Sequence, residues 1–518
     1  MLEKPETFKG GFDQSDAICD EHSKDASVFM VRPQGVFYPK DTEDIVVVVR
    51  RVAEEKLINS DVSLSVRAGG TCMTGGSLCT GYILNLTRHM HHIDIDPVLQ
   101  TATVEMGAYF RDIESRAEEH GLMFAPYPSS RSLCGIGGMI GNNASGEKSI
   151  RYGATSDNVL ELEVVLADGS IVRVLPKNIS EVDDEKEIQL LNLYYSQGDA
   201  LRNAIGRVPK ASSGYRLDRV VNEETFSAIP LFVGAQGTLG IVTKATLKLV
   251  PIPKYLELIL ISAPSMKDIP DMLSVIEKYN PEGLETFDRN TLRKAETHLR
   301  ESAGKALPYL NPDAHLHILA QFSESTDVET KAKAEECLTA LLAHGYHAKH
   351  ISNLEDCEAV WNIRRNAFLL MRDHNESGQR AVPCIEDVII PLPSLGIFIE
   401  ELRDILKKHA VSYGYHGHIG DGSLRIIPIF DFTDARVGEN ITALMKETFA
   451  LVKRLNGNIS ADHSDGIIRT PFLREFYGDE LYQVFESIKQ LYDPKGILNP
   501  HKKTEGTLTH MNICLDCP

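Results

Sequence analysis

A chain of 518 residues exceeds what one hydrophobic core usually supports, so two or three domains are expected. With 42% hydrophobic and 25% charged residues the composition is that of an ordinary globular protein, and its longest apolar runs, such as residues 45–49, are too short for a membrane-spanning helix. A net charge of -19 disfavours nucleic acid, whose phosphates are bound by clustered Lys and Arg, and requires that an anionic substrate find a locally basic pocket.

Residues 1–11 are polar and lack the basic-then-apolar pattern of a secretory signal, which predicts a cytoplasmic protein and leaves peripheral association with a membrane open. Residues 35–85 read as strand, helix, strand, glycine loop, strand. Phe37 and Tyr38 close an extended segment, the acidic residues from Asp41 to Asp44 open a helix running through Glu55, and residues 62–67 alternate as a strand. A second glycine-rich region covers 135–153. Residues 160–166 and 170–175, joined by Asp168 and Gly169, read as a β-hairpin. A third glycine loop, 234–240, leads into a β-rich stretch, 241–250, and Pro251 and Pro253 then mark a domain boundary. From 256 to 410 strands and helices alternate without glycine clusters, as in an α+β layer covering a neighbouring site. Chemistry-rich segments return at 413–428 and 459–471, and 493–500 reads as the end of the folded part. The nine cysteines are scattered, which without a signal suggests reduced thiols; only Cys514 and Cys517 have a suggestive spacing.

Arg67, Ala68, Gly69, Gly70, Thr71, Cys72, Gly75 and Gly76 directly follow a strand. Consecutive glycines let backbone N–H groups converge on an anion, so such a loop can cradle a phosphate, although tight turns use glycine equally well. The second region holds Pro128, Ser129, Gly137, Gly138, Asn142, Asn143 and Ser145. It is only superficially like the Rossmann fingerprint, because its glycine spacing differs and no strand of Val and Ile leads into it, so a nicotinamide cofactor is not expected. Small residues and amides at this density suit a backbone lying flat against a bulky, hydrogen-bonding ligand. The third loop carries Gly237, Gly240 and Ile241. Further on, His416 and His418 lie two apart on an extended segment and would face the same side, where a nearby carboxylate could complete a metal site; such a pair also serves structural roles.

Taken together, the order and spacing of these loops resemble the FAD-binding domain of the vanillyl-alcohol oxidase and p-cresol methylhydroxylase superfamily, and within it the D-lactate, glycolate and D-2-hydroxyglutarate dehydrogenase branch. The resemblance runs from residue 25 to residue 502 and includes Asp25, Ala26 and Ser27, the Gly214 and Tyr215 pair, and the ending Tyr492, Asp493, Pro494, Gly496, Leu498, Asn499, Pro500. It implies an α+β fold: a two-subdomain FAD-binding domain of p-cresol methylhydroxylase type at 1–255, an α+β substrate-binding cap at 256–455, a C-terminal segment at 456–505 that returns to the active site, and a tail at 506–518. By resemblance, the loop from Gly69 to Gly76 holds the FAD pyrophosphate, while residues 128–145, Gly237 to Ile241 and Asn499 line the rest of the cofactor. Relatives that attach flavin covalently often place His in the first loop. Thr71 and Cys72 stand there in this chain, so noncovalent FAD is expected; Cys72 and Cys134 are read as small packing residues.

In the family pattern a His, a second His seven positions later and a carboxylate from a later segment hold a divalent metal. His418 matches the first ligand and Asp462 the acid, but Arg425 occupies the second-histidine position and Ser423 replaces the usual Asn. Arginine stays protonated and is a very poor ligand, so the metal site is at best incomplete, and the guanidinium would instead replace the metal's charge by gripping a carboxylate directly. His416 is an alternative ligand. Asp462 and His463 resemble the family's Ala-Glu-His-Gly motif, in which the His is the catalytic base, a role suited to a group that titrates near neutrality. Trp361, Asn362, Ile363, Arg364 and Arg365 resemble the segment whose first Arg binds the substrate carboxylate, which assigns that role to Arg364 and leaves Arg365 to a surface or interdomain salt bridge.

The expected activity is FAD-dependent oxidation of a D-2-hydroxy acid such as D-lactate, glycolate or D-2-hydroxyglutarate, with a quinone, an electron-transfer flavoprotein or an iron–sulfur protein as electron acceptor. Two alternatives are a noncatalytic flavin-binding subunit of an oxidoreductase complex, against which His463 argues, and a related flavin enzyme acting on a different alcohol. Cys514 and Cys517 read either as an uncoordinated tail or as half of a cluster shared with a partner, since two thiolates cannot complete a four-coordinate site.

Overall fold

The computed structural model describes residues 2–302, 310–373 and 377–517. The pattern of residues 35–85 forms as read. The Asp41 carboxylate accepts from the Asp44 backbone N–H and so starts the helix Thr42–Glu55, satisfying one of the donors that a helix start leaves open. Ile45, Val48, Val49 and Val52, at helical spacing, form its buried face and share a core with Phe37, Leu64 and Leu84. Those last three come from a four-stranded sheet ordered Gly11–Asp13, Gly35–Tyr38, Tyr82–Asn85, Leu64–Arg67, whose final three strands run parallel. The first glycine loop leaves the C-terminal end of Leu64–Arg67.

A five-stranded antiparallel sheet runs Ile93–Asp96, Thr101–Glu105, Ile241–Lys248, Val159–Val165, Ile171–Val174. The Asp168 and Gly169 turn closes the expected hairpin, with Val165 opposite Ile171. The third glycine loop delivers the chain into the central strand of this sheet, Ile241–Lys248.

Glu257, soon after Pro251 and Pro253, begins a larger antiparallel sheet. Among the described residues its order is His347–Ile351, Glu257–Ala263, Leu316–Phe322, Gly283–Asp288, Ser412–Gly417, Ser423–Asp431, Gln379–Ala381, and Val388–Ile389 also pairs with Ser423–Asp431. In the hairpin of Ser412–Gly417 with Ser423–Asp431, His416 lies opposite Arg425 and Tyr415 opposite Ile426. Strand alternation therefore gives this hairpin one face with His416 and Arg425 and another with Tyr415 and Ile426.

The folded part does not end at Pro500, as the sequence suggested. Residues 508–514 form a helix, Leu508–Cys514, whose Met511 and Cys514 are buried, because apolar residues three apart give even a short helix a stripe to bury. Beyond it Leu515 bridges Phe29, and the Asp516 carboxylate pairs with Lys24 and Arg380. The expected loose tail is a strap on the N-terminal segment. No described helix is long and apolar enough to cross a membrane.

Candidate active site

The three glycine loops meet at one cavity. Ala68, Gly69, Gly70, Thr71, Cys72 and Gly76 line it from the first loop, Pro128, Ser129, Gly137, Gly138 and Asn142 from the second, and Gly237 and Gly240 from the third. The backbone explains the composition. At Gly70 φ is +68°, a conformation side chains avoid. At Gly138 a Cβ would meet no protein atom, because that face of the helix Ile136–Asn142 looks into the cavity.

The other expected cofactor residues stand behind this wall. Arg67 donates to the Lys24 carbonyl, Gly75 packs on Phe29 and Ile467, and Asn143 ends its helix with φ +59° while accepting from Ser156 N–H. Ile241 is buried, and Ser145 faces the acidic cluster described below. Asn499 is a stitch: its Nδ2 donates to the carbonyls of Gly76 and Gln236, both at 2.7 Å, and so ties the first loop to the third. A cavity floored by bare backbone, with amides at its edge, fits FAD.

At the reactive end the wall is made by His416, Arg425, Asp462 and His463. The loop carrying the last two is clamped by Asp387, whose carboxylate accepts from the backbone N–H groups of Asp462 (2.9 Å) and His463 (2.8 Å) and from the Ser460 hydroxyl (2.9 Å). His463 Nδ1 lies 2.7 Å from Glu386 Oε2, and the other Glu386 oxygen is held at 2.5 Å by the buried Arg469. That carboxylate assigns the proton to Nδ1 and leaves Nε2 as the base. Burial disfavours the imidazolium, but Glu386 outweighs it and holds the His463 pKa above the ordinary 6.5. Burial likewise works against the Glu386 carboxylate, yet His463 and Arg469 bring it down to about 2.

Arg425 fills the gap between the two expected metal ligands. Its Nη2 is 3.0 Å from His418 Nε2 and 3.1 Å from Asp462 Oδ1, and His418 Nε2 is only 3.6 Å from Asp462 Oδ2. A second cation, Lys210, lies 3.6 Å from Asp462 Oδ2, 2.9 Å from Asp421 Oδ2 and 2.5 Å from the Ser145 hydroxyl. Burial opposes ionisation of Asp462, but Arg425 and Lys210 hold it well below the usual carboxylate range. With two fixed cations already on that carboxylate, these residues do not fit a divalent ion. Among the described residues, the one grouping with metal-ligand spacing is Glu386, Asp387 and His463, whose acids already serve Arg469 and the loop donors above.

Arg364, to which the resemblance gives the substrate carboxylate, does not line the cavity. It is buried beside it, ion-paired with Glu285, which also sits 2.5 Å from His418 Nδ1. Successive helical residues point about 100° apart, and on Leu354–Arg365 it is Arg365 that lines the cavity. There Arg365 makes a two-point pair with Glu147, at 2.9 and 2.7 Å, the salt bridge between chain halves that its sequence position suggested. Beside His463 the cation on the cavity wall is Arg425; among the described residues its Nε, the Arg364 Nε and Nδ1 of His416 are buried without a hydrogen-bond partner. Burial, and then Arg364 and Arg425, keep His416 neutral.

Sequence reasoning missed Glu386, Asp387, Lys210 and Glu285, which lie outside the glycine and histidine motifs. A signal was present for two of them: Glu386 and Asp387 interrupt an apolar run from Val382 to Ile390, and charges there are rarely buried unless paired.

The fold is of the p-cresol methylhydroxylase type, and the cavity it builds fits FAD. The structure of p-cresol methylhydroxylase with substrate bound matches 96% of this chain and 94% of that one, with a TM-score of 0.70 at 14% identity. Residues 33–175 match the FAD binding domain, and residues 252–503 match the C-terminal domain of FAD linked oxidases. The two matched domains are those of FAD-linked oxidases. It is 28% identical over 516 residues to D-2-hydroxyglutarate dehydrogenase of Pseudomonas putida, covering 96% of this chain but only 50% of that one, so it spans half the length of that relative. It is also 28% identical to glycolate oxidase subunit GlcD of Bacillus subtilis, with 95% of this chain and 93% of the other covered.

Proposed function

We propose that the chain oxidises a small D-2-hydroxy acid to its 2-oxo acid. One observation carries the reading: an imidazole base, His463, and a guanidinium, Arg425, line one flavin cavity. Arg425 grips the substrate carboxylate, with His416 beside it on the cavity wall, and this turns the hydroxyl toward His463 Nε2. His463 then takes the hydroxyl proton, and Glu386 stabilises the imidazolium that forms. Bound FAD supplies the acceptor for the hydride that leaves the same carbon. Arg364 acts at one remove, holding Glu285 and through it His418 behind Arg425.

In this reading residues 1–255 bind the cofactor, 256–455 cover it and 456–505 return the catalytic histidine. Relatives named for D-2-hydroxyglutarate, glycolate and D-lactate frame the substrate class. Reoxidation falls to a quinone, an electron-transfer flavoprotein or an iron–sulfur protein. The test is anaerobic: FAD-loaded protein is mixed with each enantiomer of lactate and 2-hydroxyglutarate and with glycolate, and bleaching of the flavin absorbance is followed. Bleaching by a D-acid or glycolate, lost in His463→Ala, is expected. If none of these acids bleaches a flavin that dithionite reduces, the proposal fails.

A further inference from the structure

The sheet that carries His416 and Arg425 has a second cavity, of about 350 Å³, on its reverse. Strand alternation places it there. Tyr413, Tyr415, Leu424 and Ile426 line it, and Tyr415, Leu424 and Ile426 each adjoin in sequence a residue of the flavin cavity wall. Nothing in the proposed oxidation uses this space.

Its chemistry is that of an anion site with an apolar floor. Arg289 and Arg403 line it, and among the described residues neither has a carboxylate partner; Arg289 is held by the Ala314 carbonyl at 3.2 Å and by the Asp313 carbonyl. Both guanidiniums act on His315 in the same cavity, which burial and then their charge keep neutral. Two acids also line the space, but they are engaged: Asp288 accepts from Thr291 N–H at 2.9 Å, and Glu400 lies 3.8 Å from Lys267. Tyr415 is buried, and among the described residues its hydroxyl meets only a thioether, Met266 Sδ at 3.2 Å, a weak acceptor that an oxygen would better. The rings of Tyr413 and Tyr415 stack at 6.3 Å.

We propose that this cavity binds a small organic oxyanion, a carboxylate or phosphate ester, with its charged end on Arg289 and Arg403 and its apolar body along Tyr413, Tyr415 and Ile426. In a chain of net charge -19, two guanidiniums without carboxylate partners in one concavity form a local positive field that a small anion neutralises.

The experiment is calorimetric titration of FAD-loaded protein with phenyl phosphate and with inorganic phosphate. Phenyl phosphate should saturate one site per chain and bind about ten-fold more tightly than inorganic phosphate, since only the ester also covers the tyrosine rings. The exposed Arg403→Glu, and the milder Arg403→Gln, should weaken both ligands by about ten-fold or more and leave flavin reduction by hydroxy acids unchanged. Tyr413→Ala should weaken phenyl phosphate alone. Absence of binding at millimolar concentration, equal affinity for the two probes, or affinity indifferent to both Arg403 variants would each overturn the proposal, and none of these results bears on the oxidation chemistry.

Discussion

His463 owes its position to one oxygen of Glu386 and its protonation to the same contact. Because the carboxylate raises the imidazole pKa above 6.5, the free base is lost as pH falls through that raised value. Flavin reduction by substrate should therefore climb with pH along a limb centred above 6.5. Glu386→Gln keeps the shape but removes the charge, and stopped-flow profiles should show the limb moving to lower pH; an unmoved limb would detach Glu386 from the base. His463→Ala should slow reduction by on the order of 10²- to 10⁴-fold while FAD stays bound, read from the same traces. Arg425 supports a different expectation. Activity should survive chelators, and Arg425→Met should lower kcat/KM by roughly ten- to a hundred-fold, the worth of a charge-assisted hydrogen bond. Zinc, manganese or iron at stoichiometry in active protein, required for reduction, would contradict the substitution of guanidinium for ion. That His463, Asp462 and Arg425 line one cavity could be anticipated, the first two from a motif they resemble and Arg425 because it stands where that pattern has a second His. Glu386 could not, because its role rests on a contact across 77 positions of sequence that no local motif encodes.

Elements decide which way a residue faces. On the helix Leu354–Arg365, which arginine meets the cavity depends on the rotation of the helix about its axis, set by the burial of Val360, Trp361 and Ile363. The hairpin at Val159–Val165 and Ile171–Val174 and the capped helix Thr42–Glu55 were readable because turn chemistry and capping act within a few residues. The helix Ile136–Asn142 offers a test at this scale. Gly138→Ala adds a methyl into cavity space while favouring the helix by up to about 1 kcal/mol. Apoprotein carrying it should melt no lower than the parent, yet bind FAD more weakly in a fluorescence titration. A lower melting temperature with unchanged FAD affinity would place that face against protein instead of cofactor.

Across the whole molecule, the last segment holds the first. Leu498 bridges Leu64, Asn499 joins two glycine loops, and the Lys503 ammonium donates to the Ser212 and Gly214 carbonyls. Asn499→Ala would strand the Gly76 and Gln236 carbonyls, a cost of about 1–3 kcal/mol for each buried group left unmade. Denaturant titration should show that loss, together with weaker FAD binding, and a variant as stable as the parent would remove Asn499 from the account. The sequence marked residues 493–500 as a matching motif but ended the fold there. The partners of Cys514 and Leu515, Met30 and Phe29, lie hundreds of positions away, and local patterning carries no information about them.

That closure bears on how the protein is made. The five-stranded sheet is complete once Lys248 has been synthesised, but the stitch between the first and third glycine loops comes from Asn499, nearly half the chain later. During translation the nucleotide cradle waits unfinished while the larger sheet emerges and folds behind it. Cofactor capture is then a late event, after most of the polypeptide has left the ribosome, and a truncated product ending before Asn499 would be released empty and open to proteolysis.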